Sequence, residues 1–162
     1  MCLLRGIFMS YKPLIIVDMQ PYFGAVDYQV VQKVIKVVNR KKLNEEPVLL
    51  LQYKGCGPTH PAILAELDGY PYMRRVYKSC NCGAGPVKRI LQEDFALSAP
   101  LTLQVCGVNT SYCVKQTAEK LVTYYGFDVE VVINACSCED PDNAVWEISN
   151  WRKNGPVKVV KL

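Results

Sequence analysis

Long apolar runs, excess charge, a glycine-rich phosphate loop and histidine are all scarce in this chain. No stretch of its 162 residues approaches the ~20 consecutive apolar positions that a membrane span needs, so no membrane partner is expected. The opening Met1 to Met9 is apolar but short. It has neither a basic leader segment nor a cleavage site, which argues against a secretory signal. Residues 1–10 read as a loosely ordered extension. Lys and Arg number 19 against 15 Asp and Glu, a formal charge of +4. The cations Lys33, Lys36, Arg40, Lys41 and Lys42 spread along one predicted helix. That distribution suits a solvated face, excludes a nucleic-acid partner and leaves a weak pull on anionic small molecules. The first apolar run is followed by Asp18-Met19-Gln20-Pro21, not by the glycines of a dinucleotide-binding turn, so a dehydrogenase is disfavoured. Repeats and low-complexity linkers are also missing, which leaves one domain over 1–162.

What the chain does have is cysteine, eight in all. Half of the composition is hydrophobic, enough for a sizeable core, so these thiols do not read as the disulfide framework of a small secreted domain. A reducing cytoplasm is the expected setting, with each cysteine buried, catalytic or metal-bound.

Apolar runs and helical periodicities alternate along the sequence. Leu14 to Val17, Val48 to Leu51, Met73 to Tyr77, Leu101 to Cys106, Val129 to Ile133 and Val157 to Val160 read as strands. The continuous apolar ones fit strands buried on both faces. Between them, Val26 to Leu43, Pro61 to Leu67, Val87 to Phe95, Thr110 or Ser111 to about Tyr125, and Asp140 to Trp151 read as helices, with caps and breakers at their ends. Strict alternation predicts a three-layer α/β/α sandwich, Rossmann-like, with a mostly parallel sheet of about six strands. In such a sheet the ligand site lies beyond the carboxyl ends of the strands.

Three residues with chemical capacity fall just after predicted strands: Asp18, Lys78 and Cys113. Cys113 is at the predicted start of a helix, where free N–H groups and partial positive charge favour a thiolate, and a nearby ammonium would favour it further. A carboxylate can take the thiol proton and later hand it to a leaving amine. The expectation is a poised thiolate that alkylates faster than the other cysteines.

The residues around these positions resemble a family. Leu14-Ile15-Ile16-Val17-Asp18-Met19-Gln20-Pro21-Tyr22-Phe23 is similar to the opening strand of isochorismatase-like hydrolases. Cys106-Gly107-Val108-Asn109-Thr110-Ser111-Tyr112-Cys113-Val114, followed by Thr117-Ala118, resembles their nucleophile motif, and Tyr77-Lys78-Ser79 takes the place of the family's lysine. The resemblance spans about residues 12–160 in element order. It implies an Asp18–Lys78–Cys113 triad. It also implies a cis peptide at Val108–Asn109 that aims the Asn109 and Cys113 N–H groups into one oxyanion hole. The implied reaction is attack of Cys113 on a small amide-type C–N carbonyl through a thioester, on a small-molecule substrate, by a chain that often assembles as a homo-oligomer. An ester or thioester hydrolase on the same residues is a second reading. A degenerate member acting as a binding or interaction module is a third.

Departures from the family narrow the reading. The stretch Gln52 to His60 offers one histidine and no carboxylate where nicotinamidase-type relatives build a metal site, so neither a metal nor another cofactor is expected. His60 is assigned a surface or capping role. Nicotinamide hydrolysis is disfavoured, and a cysteine nucleophile argues against isochorismate. Cys80 and Cys82 follow Lys78, and Cys136 and Cys138 follow the fifth predicted strand. They are expected as unpaired thiols near the pocket, with a disulfide or metal as lesser alternatives. Tyr22, Phe23, Tyr53, Tyr72 and Tyr112 are placed around the same edge. Of the wall positions, Phe23, Tyr53, Tyr112, Cys80 and Cys136 are the candidate substrate pocket. Trp146 and Trp151 are assigned to core or subunit contact.

Overall fold

A computed structural model describes residues 11–162; the expected N-terminal extension lies outside the described residues. Six strands form one sheet: β1 (Leu14–Val17), β2 (Val48–Tyr53), β3 (Met73–Lys78), β4 (Thr102–Val108), β5 (Asp128–Ser137) and β6 (Lys158–Val160). Their order is β3-β2-β1-β4-β5-β6, and every neighbouring pair is parallel. Among the described residues the sheet is thus wholly, not mostly, parallel. Five helices connect the strands: α1 (Tyr28–Leu43), α2 (Pro61–Glu66), α3 (Ala84–Phe95), α4 (Lys115–Thr123) and α5 (Pro141–Asn154). A short π-helical turn, Thr110–Val114, leads into α4.

Alternation along β1 divides the core between the two faces of the sheet. Ile15 and Val17 point with Leu49, Leu51 and Val105 toward Val87 and Leu91 of α3, Leu121 of α4 and Trp151 of α5. Leu14 and Ile16 point the other way, with Leu50, toward Val34 and Val38 of α1 and Ile63 of α2. All four β1 residues are buried, as a β-branched run covered on both faces should be. Helix α1 starts two residues later than its apolar periodicity suggests. Asp27 caps it there, its carboxylate accepting from the Val30 N–H at 2.9 Å.

Four strands run past their predicted ends, β2 reaching Tyr53 and β3 reaching Lys78. Strand β4 continues through Gly107 to Val108, although glycine reads locally as a strand breaker. Gly107 has φ of 117°, and a Cβ there would strike the Val17 backbone, so a bare glycine lets β1 and β4 approach. Strand β5 continues to Ser137, which places Cys136 inside the sheet, in register with Gly107, and not after it.

At the opposite end of the sheet, a polar cluster ties the start of β1 to the end of α1. The buried Lys41 Nζ donates to Glu46 Oε2 at 2.8 Å and to the Lys12 carbonyl at 2.6 Å. The Lys12 N–H donates to Glu46 Oε1 at 2.7 Å, and the Tyr70 hydroxyl to the Glu46 carbonyl, also at 2.7 Å.

Candidate active site

The order of strand addition reverses about β1, which has β2 on one side and β4 on the other. A crevice opens beyond the carboxyl ends of strands at such a switch point. Asp18 follows β1, and the π turn carrying Cys113 follows β4, so the two residues flank this crevice. Lys78 closes β3, two strands away, and its long side chain spans the gap.

Asp18 adopts a left-handed backbone with φ of 49°, a conformation that aspartate tolerates better than most residues. Its N–H is tied to the Leu51 carbonyl at 2.9 Å, and its own carbonyl accepts from the Gln20 N–H at 2.7 Å. Asp18 Oδ2 lies 2.8 Å from Lys78 Nζ, with both side chains at most 1% exposed. The contact is an ion pair without hydrogen-bond alignment, and neither carboxylate oxygen has a well-directed donor. Acceptor capacity therefore remains on Asp18. Lys78 Nζ donates to the carbonyls of Cys80 at 3.1 Å and Asn81 at 3.4 Å. It also sits 4.3 Å from the centre of the Tyr53 ring, a cation–π contact.

The Val108–Asn109 peptide is cis. The Asn109 side chain accepts from the Glu139 N–H at 2.8 Å, and Thr110 Oγ1 donates to the Ser137 carbonyl at 3.1 Å. These bonds pin the turn to the end of β5. Neither Thr110 nor Ser111 caps it: the cap position is Asn109, with no side-chain bond to the turn. Single π turns are frequent at functional sites. Asp18 and Lys78 are close enough to the Cys113 thiol to act on its proton affinity, and Sγ donates to Asn81 Oδ1 at 3.8 Å. Cys113 is 7% exposed.

The thiol is not the poised thiolate that its place near a helix start suggests. Burial pushes its pKa up to about 12, and the Asp18 carboxylate holds the proton on sulfur, while the Lys78 ammonium offsets only part of this. Burial likewise raises the Asp18 pKa, against the opposing pull of Lys78 and of the thiol. Burial thus raises proton affinity both at the thiol and at the carboxyl group that acts on it.

The other expected site residues distribute unevenly. Tyr53 adjoins Lys78, and Phe23 stands behind it in a chain of edge-on rings with Tyr22. Tyr112 is exposed and lines a separate surface pocket of about 210 Å³ with Trp146 and Glu147, so it faces away from the triad. Tyr72 lies before β3, its carbonyl accepting from the first N–H of β2, at the opposite edge of the sheet from Tyr53. Cys136 packs against both cores, its thiol on the Val132 carbonyl at 3.4 Å. It is a sheet residue more than a pocket wall.

The four thiols of the two Cys-x-Cys pairs do not converge. Cys80 contacts the Cys82 carbonyl, Cys82 the Gln116 carbonyl, and Cys138 the Ser111 hydroxyl; all are free. Trp151 is buried in the core, whereas Trp146 is exposed. Asn81 was not marked by sequence reasoning, because nothing in Cys80-Asn81-Cys82 signals that the side chain turns back onto a residue 32 positions away.

No profile of a known protein family matches the chain. It is, however, 30% identical over 146 residues to isochorismatase domain-containing protein 2 of Bos taurus, covering 88% of this chain and 67% of that one. The chain belongs to the isochorismatase-like superfamily. The three-layer fold agrees with that of solved members of this superfamily. A nicotinamidase from Staphylococcus aureus superposes with a TM-score of 0.80 at 14% identity, over 94% of this chain and all of its own (100%). A pyrazinamidase from Pyrococcus horikoshii, solved in complex with zinc, gives 0.71 at 19% identity, over 94% and 99% of the two chains.

The residues after β2 do not fit such a metal. His60 caps α2, its Nδ1 accepting from the Ala62 N–H at 3.2 Å. Among the described residues, no group of three His, Cys, Asp or Glu side chains is placed to hold an ion. Among them, too, no helix is long and apolar enough to cross a membrane.

Proposed function

We propose that this isochorismatase-like chain is a metal-independent cysteine hydrolase that cleaves a small amide-type C–N bond through a Cys113 thioester. The observation that carries the reading is the buried Asp18–Lys78 ion pair at 2.8 Å, close enough to the Cys113 thiol to act on its proton affinity, all three at the switch point of the sheet. Asp18 takes the thiol proton as Sγ attacks the carbonyl carbon, so charge develops on sulfur only during attack. The carbonyl oxygen becomes an oxyanion, received by the Asn109 and Cys113 N–H groups. Asp18 then returns the proton to the leaving nitrogen, the C–N bond breaks, and an amine or ammonia departs. Water, deprotonated by Asp18, attacks the thioester; the acid product leaves and the thiol regains its proton. Lys78 holds the Asp18 carboxylate in place and balances its charge while the proton is away.

The near-closed thiol also favours one second reading, a degenerate member that binds a ligand without turnover. Screening the full chain against small amides with ammonia release as readout separates the two. The hydrolase reading expects activity that Cys113→Ala abolishes and that Asp18→Asn lowers by about 100-fold or more, the range for loss of a general base. Ammonia release that persists in Cys113→Ala, or no release from any amide, sinks it. Seven described thiols are free, which supports the expected cytoplasmic setting.

A further inference from the structure

The segment Ser79–Cys82 crosses directly over the candidate site. Its far end is fixed: the Gly83 N–H donates to the buried Thr117 Oγ1 at 3.0 Å, and Gly83 packs so closely on Leu51 that a Cβ would strike that side chain. The Cys82 thiol adds a contact at 3.5 Å to the Gln116 carbonyl. Its near end continues from Lys78, whose ammonium binds the Cys80 and Asn81 carbonyls. Between these anchors Asn81 is exposed, yet its side-chain oxygen accepts from the Cys113 thiol at 3.8 Å. Asn81 thus meets both solvent and the sulfur. Surface pockets of about 290 and 510 Å³ lie along α5, and one of about 340 Å³ lies along the β2–α2 loop beside Tyr53.

We infer that Asn81 is a gating residue: its carboxamide occupies the place above Cys113 Sγ that a substrate carbonyl must take, and a substrate enters by displacing the Ser79–Cys82 strap. This rests on the hydrolase reading for what the gate admits, but not for the gate itself. The geometry gives the strap two states with a defined exchange of partners. Closed, the thiol donates to Asn81 and the ammonium is shared between Asp18 and two strap carbonyls. Open, the thiol proton has Asp18 as its remaining acceptor, and Lys78 turns its full charge on that carboxylate. Displacing the cap therefore both uncovers the sulfur and directs its proton toward the base.

Alkylation of the full chain by iodoacetamide, followed cysteine by cysteine in peptide mass spectra, tests this without requiring turnover. Asn81→Ala is expected to speed labelling of Cys113 by about fivefold or more, the factor that one lost hydrogen bond carries, with the other cysteines unchanged. Asn81→Asp keeps an acceptor oxygen of the same shape and is expected to leave Cys113 as slow as in the natural chain. Equal Cys113 rates in the natural chain and Asn81→Ala overturn the gate. So does acceleration in both variants, which would mean a loosened loop and not a lost cap. A chain that hydrolyses no amide yet shows the expected pattern sinks the hydrolase reading and supports the gate. A chain that hydrolyses amides with no Asn81 effect does the reverse.

Discussion

The charge state of Cys113 is decided by burial, and burial was invisible from its neighbours in sequence. Position near a helix start argues for a lowered thiol pKa; the folded surroundings raise it to about 12. The sign matters for experiment. A thiol whose folded pKa lies above its ordinary value of 9.0 stays protonated at neutral pH, so Cys113 should be labelled more slowly there than the exposed Cys80. Its labelling rate should still climb at pH values where an ordinary thiol has levelled off. The associated stability is fully present below the ordinary value and is lost as pH rises toward about 12. Removing the Asp18 charge with Asp18→Asn removes one of the influences that hold the proton on sulfur, and the Cys113 pH–labelling profile should move to lower pH. Burial remains the larger cause, so the shift is partial. A Cys113 profile that levels off where that of a free thiol such as glutathione does contradicts this account.

Among the elements, the strands were the most legible from sequence and their ends the least. Leu14 to Val17 and Val48 to Leu51 announce themselves as β-branched or leucine runs between breakers. The same logic stops β4 at Gly107, where glycine usually interrupts a strand. The structure keeps the strand going because Gly107 is where β4 meets β1 without a side chain between them. Polar Asn134 and the short Ala135-Cys136-Ser137 run likewise hid the extension of β5. Gly107→Ala measures how much this approach matters. The new Cβ meets the Val17 backbone, which cannot swing aside, at a φ of 117° that side chains rarely adopt. The expected cost is about 3 kcal/mol or more, a fall in Tm on the order of 10 °C. Gly55→Ala is the control: φ is also positive, at 82°, but no atom lies within 4 Å, so the cost should stay near 1 kcal/mol. Equal losses in thermal melts of the two variants would show that backbone conformation, not the β1–β4 approach, governs Gly107.

For the whole molecule, the sheet separates a site from a brace. Asp18, Lys78 and Cys113 were legible because element order puts them at or beyond the carboxyl ends of strands, and parallel strands bring those ends to one edge. Tyr72 was misplaced for the converse reason: it precedes its strand, and so belongs to the other edge. What element order could not supply was a side-chain contact across a loop, which is why Asn81 went unmarked. The far edge carries the Lys41–Glu46 pair, buried and 2.8 Å apart, with side-chain exposures of 6% and 4%. Burial lowers the Lys41 pKa, and Glu46 opposes that shift. Lys41→Met strands the Glu46 carboxylate without its cation, and breaking a buried pair in this way costs about 3–5 kcal/mol. The double change Lys41→Met with Glu46→Leu removes the stranded charge as well and should recover much of the loss, whereas two independent sites would add. Because the brace lies at the opposite edge from the triad, labelling of Cys113 by iodoacetamide should be unaltered in both variants while they remain folded. Thermal melts give the first result and peptide-resolved labelling the second. If Lys41→Met changed Cys113 reactivity in folded protein, the sheet would be transmitting strain between its edges, and the separation of brace from site would not hold.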